Sequence, residues 1–179
     1  MALILLRHTT PDIAEGICYG QTDLDVVDTF ESEAKVALAA LPPFQQIISS
    51  PLLRCRKLAD FVAGRSGLSV QTDERLMEMN FGRWEGQSWS DIPRAEIDAW
   101  AGDFIHARPH GGESVAILRR RVHRALSDIV RTEKQSLVVT HSGVMRAALS
   151  KGDGFADFDA KIDFGGHVTI SDLEGVIYE

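Results

Sequence analysis

The sequence predicts an α/β protein, a three-layer α/β/α sandwich around a mainly parallel sheet. Short apolar runs that suit buried strands alternate with segments whose apolar residues fall at helical spacing, and this alternation is typical of parallel sheets covered by helices. The chain has 179 residues, of which 44% are hydrophobic and 25% charged, so it is long enough for a buried core. We expect a single domain over residues 1–179, with a lid-like, partly helical insertion at about 75–112.

The first half of the chain contains three predicted strands and two predicted helices. Apolar residues at helical spacing between Phe30 and Leu41 mark the first helix, which Pro42-Pro43 ends. The second helix begins at Pro51, a residue that suits the first helical position, with Ser50 as its N-cap. The strands are short runs without helical spacing: Ala2–Leu6, Gln46–Ser49 and Ser69–Thr72.

The second half begins with an irregular stretch and returns to regular elements after it. Residues 75–112 are rich in Trp, Gly and Pro, and we expect one or two short helices around Ser90–Phe104. The remaining predicted elements are an amphipathic helix over Val115–Ile129, a buried strand at Leu137–Thr140, a helix from about Gly143 to Leu149, and a hairpin over residues 166–178 that turns at Glu174-Gly175 and adds antiparallel edge strands.

Charge and hydropathy argue against two classes of partner. The formal net charge is -7, whereas a general nucleic-acid binder needs a broad basic surface. No run approaches the roughly 18 apolar residues of a membrane span, and Ala2–Leu6 is too short for the apolar part of a secretion signal. Cys18 and Cys55 are expected to be free thiols. We therefore expect a cytoplasmic monomer or homodimer that binds neither nucleic acid nor membrane.

Cationic and imidazole side chains follow three of the predicted strands. Arg7 and His8 follow the first strand, Arg54 comes shortly after the second, and His141 follows the strand Leu137–Thr140. Because ligands of open α/β sheets bind beyond the carboxyl ends of the strands, we expect these four side chains to converge. Two of the segments also lead into helix N-termini, which favour anions. Since arginine forks match phosphate oxygens, the sequence predicts a pocket for a small phosphorylated metabolite.

Histidine is the nucleophile that remains after the other types are compared with the sequence. Neither Cys18 nor Cys55 has an arginine six residues later, as a Cys-x5-Arg loop requires, and no G-x-x-x-x-G-K-[ST] loop occurs. The D-x-D-x-V pattern that starts at Asp23 follows a turn rather than a hydrophobic strand. His106 and His110 lack further ligands for zinc, so no metal is expected. Imidazole is a competent nucleophile near neutral pH.

A proton donor for the leaving group is expected at Glu78. This carboxyl group lies between Met77 and Met79, and apolar surroundings favour the protonated form that a general acid needs. Glu85 is the second candidate for the donor. A structural role for Glu78, in a helix cap or an ion pair with a neighbouring arginine, also stays open.

Five motifs occur in order along most of the chain. They are Arg7-His8-Thr9, Ser49-Ser50-Pro51-Leu52-x-Arg54, Leu76-x-Glu78-x-x-Phe81-Gly82-x-Trp84-Glu85-Gly86, Gly112-Glu113-Ser114 and Thr140-His141-Ser142-Gly143-Val144-Met145-Arg146. In this order and at these spacings the chain resembles the histidine phosphatase superfamily, also called phosphoglycerate mutase-like. The resemblance covers about residues 3–150 and implies that superfamily's fold.

The resemblance implies a role for each residue of the predicted pocket. His8 attacks phosphorus and becomes phosphohistidine, Glu78 protonates the leaving group, and water then hydrolyses the intermediate. No cofactor or metal is implied, because cationic side chains neutralise the charge that Mg²⁺ carries in other phosphoryl-transfer enzymes. The residues implied in phosphate binding are Arg7, His8, Arg54, His141 and Ser142.

One segment is similar to a particular branch of the superfamily. Residues 16–23, Gly-Ile-Cys-Tyr-Gly-Gln-Thr-Asp, resemble the alpha-ribazole phosphatase branch, which trims a nucleotide-loop precursor of cobalamin. Ala14 stands where phosphoglycerate mutases have Asn, which favours a phosphatase over a mutase-type phosphotransferase. The sequence also leaves open a phosphatase for another small metabolite and a non-catalytic binding module on the same fold. The residues expected at the substrate pocket are Thr9, Tyr19, Gly20, Gln21 and Trp84.

Two further groups of residues have mainly structural interpretations. Trp84, Trp89 and Trp100 are predicted to pack the core and the lid, although they also suit one wall of a pocket for an aromatic leaving group. The basic run at residues 119–121, together with Arg124, lies outside the apolar stripe of its helix and is predicted to be a solvated face.

Overall fold

The computed structural model describes residues 2–171, and the predicted turn at Glu174-Gly175 lies outside them. The elements predicted up to residue 149 are all found, with small shifts at their ends. Among the described residues, no helix has both the length and the apolar composition needed to cross a bilayer. The strands are β1 Leu3–Arg7, β2 Gln46–Ser49, β3 Val70–Thr72, β4 Ser136–Thr140 and β5 His167–Ile170; the helices are α1 Phe30–Ala40, α2 Leu53–Ser66, α3 Arg94–Gly102, α4 Val115–Val130 and α5 Ser142–Leu149.

The strands form one sheet in the order β3-β2-β4-β1-β5. The pairs β1–β4, β2–β4 and β2–β3 are parallel, whereas β5 runs antiparallel to β1. In the parallel pairs Arg7 lies opposite Thr140, and Ser49 lies opposite Val139. The prediction of a mainly parallel sheet with an antiparallel edge strand is confirmed, and the carboxyl ends of β1, β2 and β4 lie side by side.

Helices cover both faces of this sheet. Leu3 and Leu5 of β1 pack into one core with α4 and α5, whereas Ile4 and Leu6 pack into a second core with α1 and α2. Successive strand residues point to opposite faces, so a strand with a core on each side is apolar throughout. This explains the unbroken apolar run at the start of the chain. The predicted three-layer α/β/α sandwich is confirmed.

Helix α2 begins at Leu53 rather than at Pro51, and Ser50 is not its N-cap. Leu52 takes the N-cap position with extended backbone, φ -62° and ψ 137°, and Oδ1 of Asp23 accepts from the N–H of Leu53 at 2.7 Å. The Ser50 hydroxyl lies 2.8 Å from Nε2 of His141 instead. The predicted cap is wrong because the polar partner of Ser50 comes from the end of another strand, which the local sequence does not reveal.

Residues 75–112 are mostly irregular, as predicted, and are organised around the buried Trp84. Besides α3, their regular parts include 3-10 turns at Glu74–Leu76 and Gly82–Trp84. Trp84 is 1% exposed, and its Nε1 donates a hydrogen bond to Glu96 at 2.7 Å. Its ring packs with Cys18, which fastens this segment to the loop that follows β1.

Truncating a side chain in the core beneath α4 tests this layer arrangement. Leu126 is fully buried there, so Leu126→Ala should lower the free energy of unfolding by about 2–5 kcal/mol, through lost burial and the cavity left behind. Val36 on α1 is 73% exposed, and Val36→Ala should change the same quantity by less than about 0.5 kcal/mol. Denaturant unfolding measures both, and equal effects would contradict the described packing.

Candidate active site

The predicted site residues follow the adjacent carboxyl ends of β1, β2 and β4. The backbone N–H of His8 donates to the carbonyl of Thr140 at 3.0 Å, and that of Ser50 donates to Val139 at 2.9 Å. These bonds extend the strand pairing by one residue beyond each strand. His8 and His141 therefore emerge side by side, with their ring centroids 5.2 Å apart.

His8 is buried and held in one tautomer by its neighbour. Its Nδ1 lies 2.7 Å from the carbonyl oxygen of Thr9. A carbonyl can only accept, so Nδ1 carries the proton and Nε2 keeps its lone pair. Burial, followed by the charges of Arg54 and Arg7, lowers the pKa of His8 to about 3. The ring is therefore neutral near pH 7 and has an unprotonated Nε2, as a nucleophile requires.

His141 lies in an equally buried environment. Its Nε2 is 2.8 Å from the Ser50 hydroxyl and 3.4 Å from Sγ of Cys55. Burial, then the nearby His8 and Arg54, lower the pKa of His141 well below its usual value. Burial also raises the pKa of the Cys55 thiol, so this contact is with a neutral sulfur. Both imidazoles of the site are thus uncharged next to fixed cations.

Arg54 and Arg7 supply those cations, and each is tied to a loop above the sheet edge. Arg54, in the first turn of α2, is fully buried and donates to the carbonyls of Gly20 at 2.7 Å and Thr22 at 2.8 Å. Arg7 donates to the carbonyl of Ile162 at 2.7 Å, and its guanidinium lies 3.9 Å from the ring centroid of Phe164. The two side chains therefore also fix the segments that surround His8.

Three polar groups at this edge are buried without a hydrogen-bond partner among the described residues. They are Nε of Arg7, Nε of Arg54 and the hydroxyl of Thr9. Buried polar groups almost always have partners, so such a cluster marks a candidate position for ligand contacts. All three groups can donate, and together with the two positive charges they suit an anion that accepts hydrogen bonds.

Glu78 lies at the N-terminus of α5, on the other side of the site. Its carboxylate accepts from the N–H of Met79 at 2.9 Å and from the N–H of Gly143 at 3.1 Å. A Cβ atom at position 143 would come within 2.2 Å of this carboxylate, so glycine is required for the close approach. The side chain is 8% exposed. The start of α5 thus holds one carboxyl group close to the backbone that follows His141.

Glu85, the second candidate for proton donor, is fully engaged elsewhere. Its two oxygens accept from the N–H groups of Gln21, Thr22 and Phe81 and from the Thr22 hydroxyl, at 2.6–3.0 Å. These four bonds join the loop after β1 to the turn at Gly82–Trp84. The contacts of Glu85 therefore account for a structural role.

A cavity of about 380 Å³ opens next to Glu78. Its walls are largely apolar, with Arg146 and Asp159 among the few charged members. Tyr19, Gly20, Ser142 and Gly143 border it on the side of the histidines. The aromatic members of its wall are Tyr19, Phe81, Trp89, Trp100, Phe104, Phe155 and Phe158. An apolar body attached to a group bound near His8 can occupy this space.

The residues predicted at the substrate pocket separate into three groups. Tyr19 and Gly20 line the cavity, as expected. Gln21 and the buried Thr9 lie beside the site, and Gln21 donates to the carbonyl of Glu78 at 3.0 Å. Trp84 does not line the cavity; its indole N–H bonds Glu96 inside a small core, which agrees with the predicted packing role. Its position in the motif did not show which way the ring faces.

The prediction of a solvated basic face on α4 is correct for Arg120 and Arg124 but wrong for two neighbours. Arg119 pairs with Asp153 at 2.6 Å and donates to the carbonyl of Gly152. Arg121 pairs with Glu113 and donates to three backbone carbonyls in the segment that carries Glu78. Arg121 flanks the apolar stripe of α4, three residues after Leu118, and this position is the signal that could have identified it.

The geometry as a whole suits phosphoryl transfer. A neutral imidazole stands in the field of two fixed cations, and a carboxyl group and a cavity that can hold a leaving group lie at the start of α5. Within residues 2–171, no group of three or more His, Cys, Asp and Glu side chains is placed to hold a metal ion.

Comparison with known proteins identifies the family that the chain matches and relatives with similar sequences. The model of the histidine phosphatase superfamily (branch 1) matches residues 3–161. The glucosyl-3-phosphoglycerate phosphatase of Mycobacterium tuberculosis is 33% identical over 165 residues, which is 83% of this chain and 73% of that protein. The adenosylcobalamin/alpha-ribazole phosphatase of Salmonella typhimurium is 29% identical over 160 residues, 84% of this chain and 79% of that protein.

A solved structure shows the same fold. The alpha-ribazole phosphatase from Shigella flexneri superposes with a TM-score of 0.84 at 26% identity, covering 98% of this chain and 92% of that one. The fold resemblance therefore extends over almost the whole chain.

The low pKa of His8 predicts a pH dependence of stability. Between its ordinary value of 6.5 and about 3, the unfolded chain binds a proton at residue 8 that the folded chain does not, so stability falls as the pH falls through this window. His8→Gln should remove up to about 1.4 kcal/mol per pH unit from the slope. Urea unfolding in phosphate-free buffers measures it, with the exposed His106→Gln as control. Equal slopes for wild type and His8→Gln would contradict the prediction.

Proposed function

The chain belongs to the histidine phosphatase superfamily (branch 1) and is a phosphatase; from this we propose that it is a metal-independent phosphomonoesterase that acts through phosphohistidine at His8. The observation that carries the proposal is the state of His8, whose Nδ1 is fixed as a donor to Thr9 while burial and the charges of Arg54 and Arg7 keep Nε2 unprotonated. This is the protonation state that in-line attack on phosphorus requires.

The proposed reaction has two displacements at phosphorus. In the first, Nε2 of His8 forms a bond to phosphorus, the ester P–O bond breaks, and the leaving oxygen takes a proton from Glu78. In the second, the carboxylate of Glu78 takes a proton from water, the oxygen of that water bonds to phosphorus, and the P–N bond breaks. Inorganic phosphate is released, and both side chains return to their initial states.

Phosphate binding is assigned to the groups around His8. Arg7 and Arg54 offer buried N–H groups and fixed charge, which stabilise the charge on the equatorial oxygens during transfer. His141 and Ser142, at the start of α5, complete the phosphate-binding set in this proposal. Glu78 is preferred over Glu85 as proton donor because the oxygens of Glu85 are already occupied by four structural hydrogen bonds.

The cavity beside Glu78 favours a substrate with an aromatic leaving group. Its wall contains seven aromatic side chains and few charged ones, so it suits a flat heterocycle better than a highly hydroxylated sugar acid. We therefore favour alpha-ribazole 5'-phosphate, a reaction of cobalamin biosynthesis, over glucosyl-3-phosphoglycerate, the substrate named for the mycobacterial relative. In this proposal residues 75–112 act as a lid, since they supply Phe81, Trp89 and Trp100 to the wall.

A cytoplasmic location is part of the proposal. It is supported by the two free cysteines, both buried, and burial raises the pKa of Cys18 to about 12. Such thiols are not set up for disulfide exchange.

The covalent step gives the most direct test of the mechanism. Wild-type protein, quenched without acid within the first turnover of a phosphomonoester, should carry an acid-labile phosphoryl group on His8. Turnover should persist in EDTA, and His8→Ala should lower it at least about 10³-fold, because the nucleophile is lost. Free phosphate and intact-mass spectrometry measure the two quantities.

Several outcomes of that experiment would contradict the proposal. Full activity of His8→Ala would remove His8 as the nucleophile. Loss of turnover in EDTA would show that a metal takes part. Transfer of the phosphoryl group to a second sugar phosphate, with little free phosphate, would favour a mutase-type phosphotransferase.

The aromatic wall of the cavity gives a test of substrate class. Phe155 lines the cavity but is 66% exposed, so Phe155→Ala should fold normally. It should raise KM for alpha-ribazole 5'-phosphate about 10-fold, because stacking of a base on an aromatic side chain is worth ~1–3 kcal/mol. For glycerol phosphate, which cannot stack, KM should stay within about 2-fold.

Steady-state kinetics with both substrates provide the measurement. Val36→Ala, on the exposed face of α1, is the matched control and should change neither KM. Faster turnover of glucosyl-3-phosphoglycerate than of alpha-ribazole 5'-phosphate would overturn the preference for an aromatic leaving group.

A further inference from the structure

The guanidinium of Arg121 is fully engaged with the segment that carries Glu78. Nη1 donates to the carbonyls of Arg75 and Met77, both at 2.7 Å, and Nη2 donates to the carbonyl of Glu78 at 2.9 Å. Nε and Nη2 also donate to the two carboxylate oxygens of Glu113, at 2.7 and 2.8 Å. A guanidinium has five N–H groups, so all of them have partners. The side chain is only 18% exposed.

Glu113 extends this contact to the chain beyond Glu78. Its carboxylate, 10% exposed, binds Arg121 in a bidentate manner and also lies 3.4 Å from the N–H of Asn80. Its own backbone N–H donates to the carbonyl of Asn80 at 2.8 Å. Arg121 thus holds the chain up to Glu78, and Glu113 holds it just afterwards. We call this pair the clamp.

Side chains from remote parts of the chain fix the backbone of this segment; besides the clamp, Gln21 donates to the carbonyl of Glu78 at 3.0 Å. Residues 77–81 belong to neither a helix nor a strand, so their carbonyls need partners from outside regular structure. The position of the Glu78 carboxyl group is also constrained. It packs closely against the start of α5, where a Cβ atom at residue 143 would overlap with it. A displacement of about 1 Å at a reacting group can cost ~10²-fold in rate. Backbone placement at residue 78 therefore decides where its proton can be delivered.

We propose that Arg121, together with Glu113, is the positioning residue for proton donation by Glu78. The inference rests on the proposed function, in which Glu78 protonates the leaving oxygen. Arg121 contacts the segment of the proton donor through the carbonyls of residues 75–78, and Arg121→Lys keeps the positive charge that also acts on His141. Its effect should therefore appear in the step that needs the proton. Lysine cannot replace it, because an ammonium has three N–H groups on one atom and cannot span three carbonyls and a carboxylate.

Comparing two phosphate esters tests this role, because their leaving groups differ in whether they must be protonated as the P–O bond breaks. Nitrophenolate leaves without protonation, whereas an alkoxide does not. Arg121→Lys should lower kcat/KM about 10-fold or more for 2-phenylethyl phosphate, and less than about 3-fold for p-nitrophenyl phosphate. Glu113→Gln should give the same selectivity, since it weakens the other half of the clamp. A general loss of structure would lower both values alike.

Arg119→Lys is the matched control. Arg119 lies on the same helix and also binds a carboxylate and a backbone carbonyl, but in the segment at residues 152–153. Its replacement should leave the ratio of the two kcat/KM values unchanged. Thermal unfolding of each variant shows whether it is folded. If Arg121→Lys does not fold, Glu113→Gln decides the question.

Glu78→Gln separates failure of this inference from failure of the proposed function. It should lower kcat/KM about 10²-fold or more for the alkyl ester, with a much smaller loss for the nitrophenyl ester. If Glu78→Gln shows this selectivity and neither clamp variant does, the clamp has no positioning role and the proposed function stands. If Glu78→Gln lowers both values equally, Glu78 is not the proton donor, and the assignment of Arg121 is wrong with it.

Discussion

The pairing of β1 with β4 is the constraint on which the rest of the site depends. It places His8 and His141 at adjacent strand ends, where the N–H of His8 bonds the carbonyl of Thr140. The apolar faces do not fix this register by themselves, because β1 is apolar on both sides. The polar residues at the strand end do fix it. A slip by one residue would draw Arg7 or Thr140 into an apolar core without a partner, which is costly.

Burial of charge and imidazole at that edge has consequences beyond catalysis. Arg54 is fully buried, and its guanidinium is satisfied in part by the carbonyls of Gly20 and Thr22. The same side chain therefore binds the loop that borders the cavity and lowers the pKa of both histidines. Two neutral rings beside two cations leave an excess of positive charge with little water to screen it. In the proposed function a phosphoryl dianion offsets that charge, which links tight phosphate binding to the protonation state of the nucleophile.

The sequence predicts the positions of site residues that follow the strands, but it does not predict positions that depend on contacts between loops. Arg7, His8, Arg54 and His141 could be grouped because each follows a recognisable strand, and parallel strands end at one edge. The direction of the Trp84 ring could not be predicted, since it depends on a hydrogen bond to Glu96 from a separate helix. Ser50 resembled a helix cap for the same reason: its partner, His141, is remote in sequence.

Long-range contacts also explain why the sequence did not identify two aromatic residues of the cavity wall. Phe155 and Phe158 lie in a stretch without strand or long-helix periodicity, and only the tertiary fold brings them to the cavity beside Phe104. In the proposed function, the phosphate-binding residues are placed by the sheet, whereas most of the cavity wall comes from loops and short turns. Substitutions in the wall can therefore change the leaving group without moving the nucleophile or its cations. In the proposed function, this division explains how relatives of similar identity can carry names that specify different phosphate esters. In that proposal the identity of the wall residues, rather than the motifs around His8, determines the substrate.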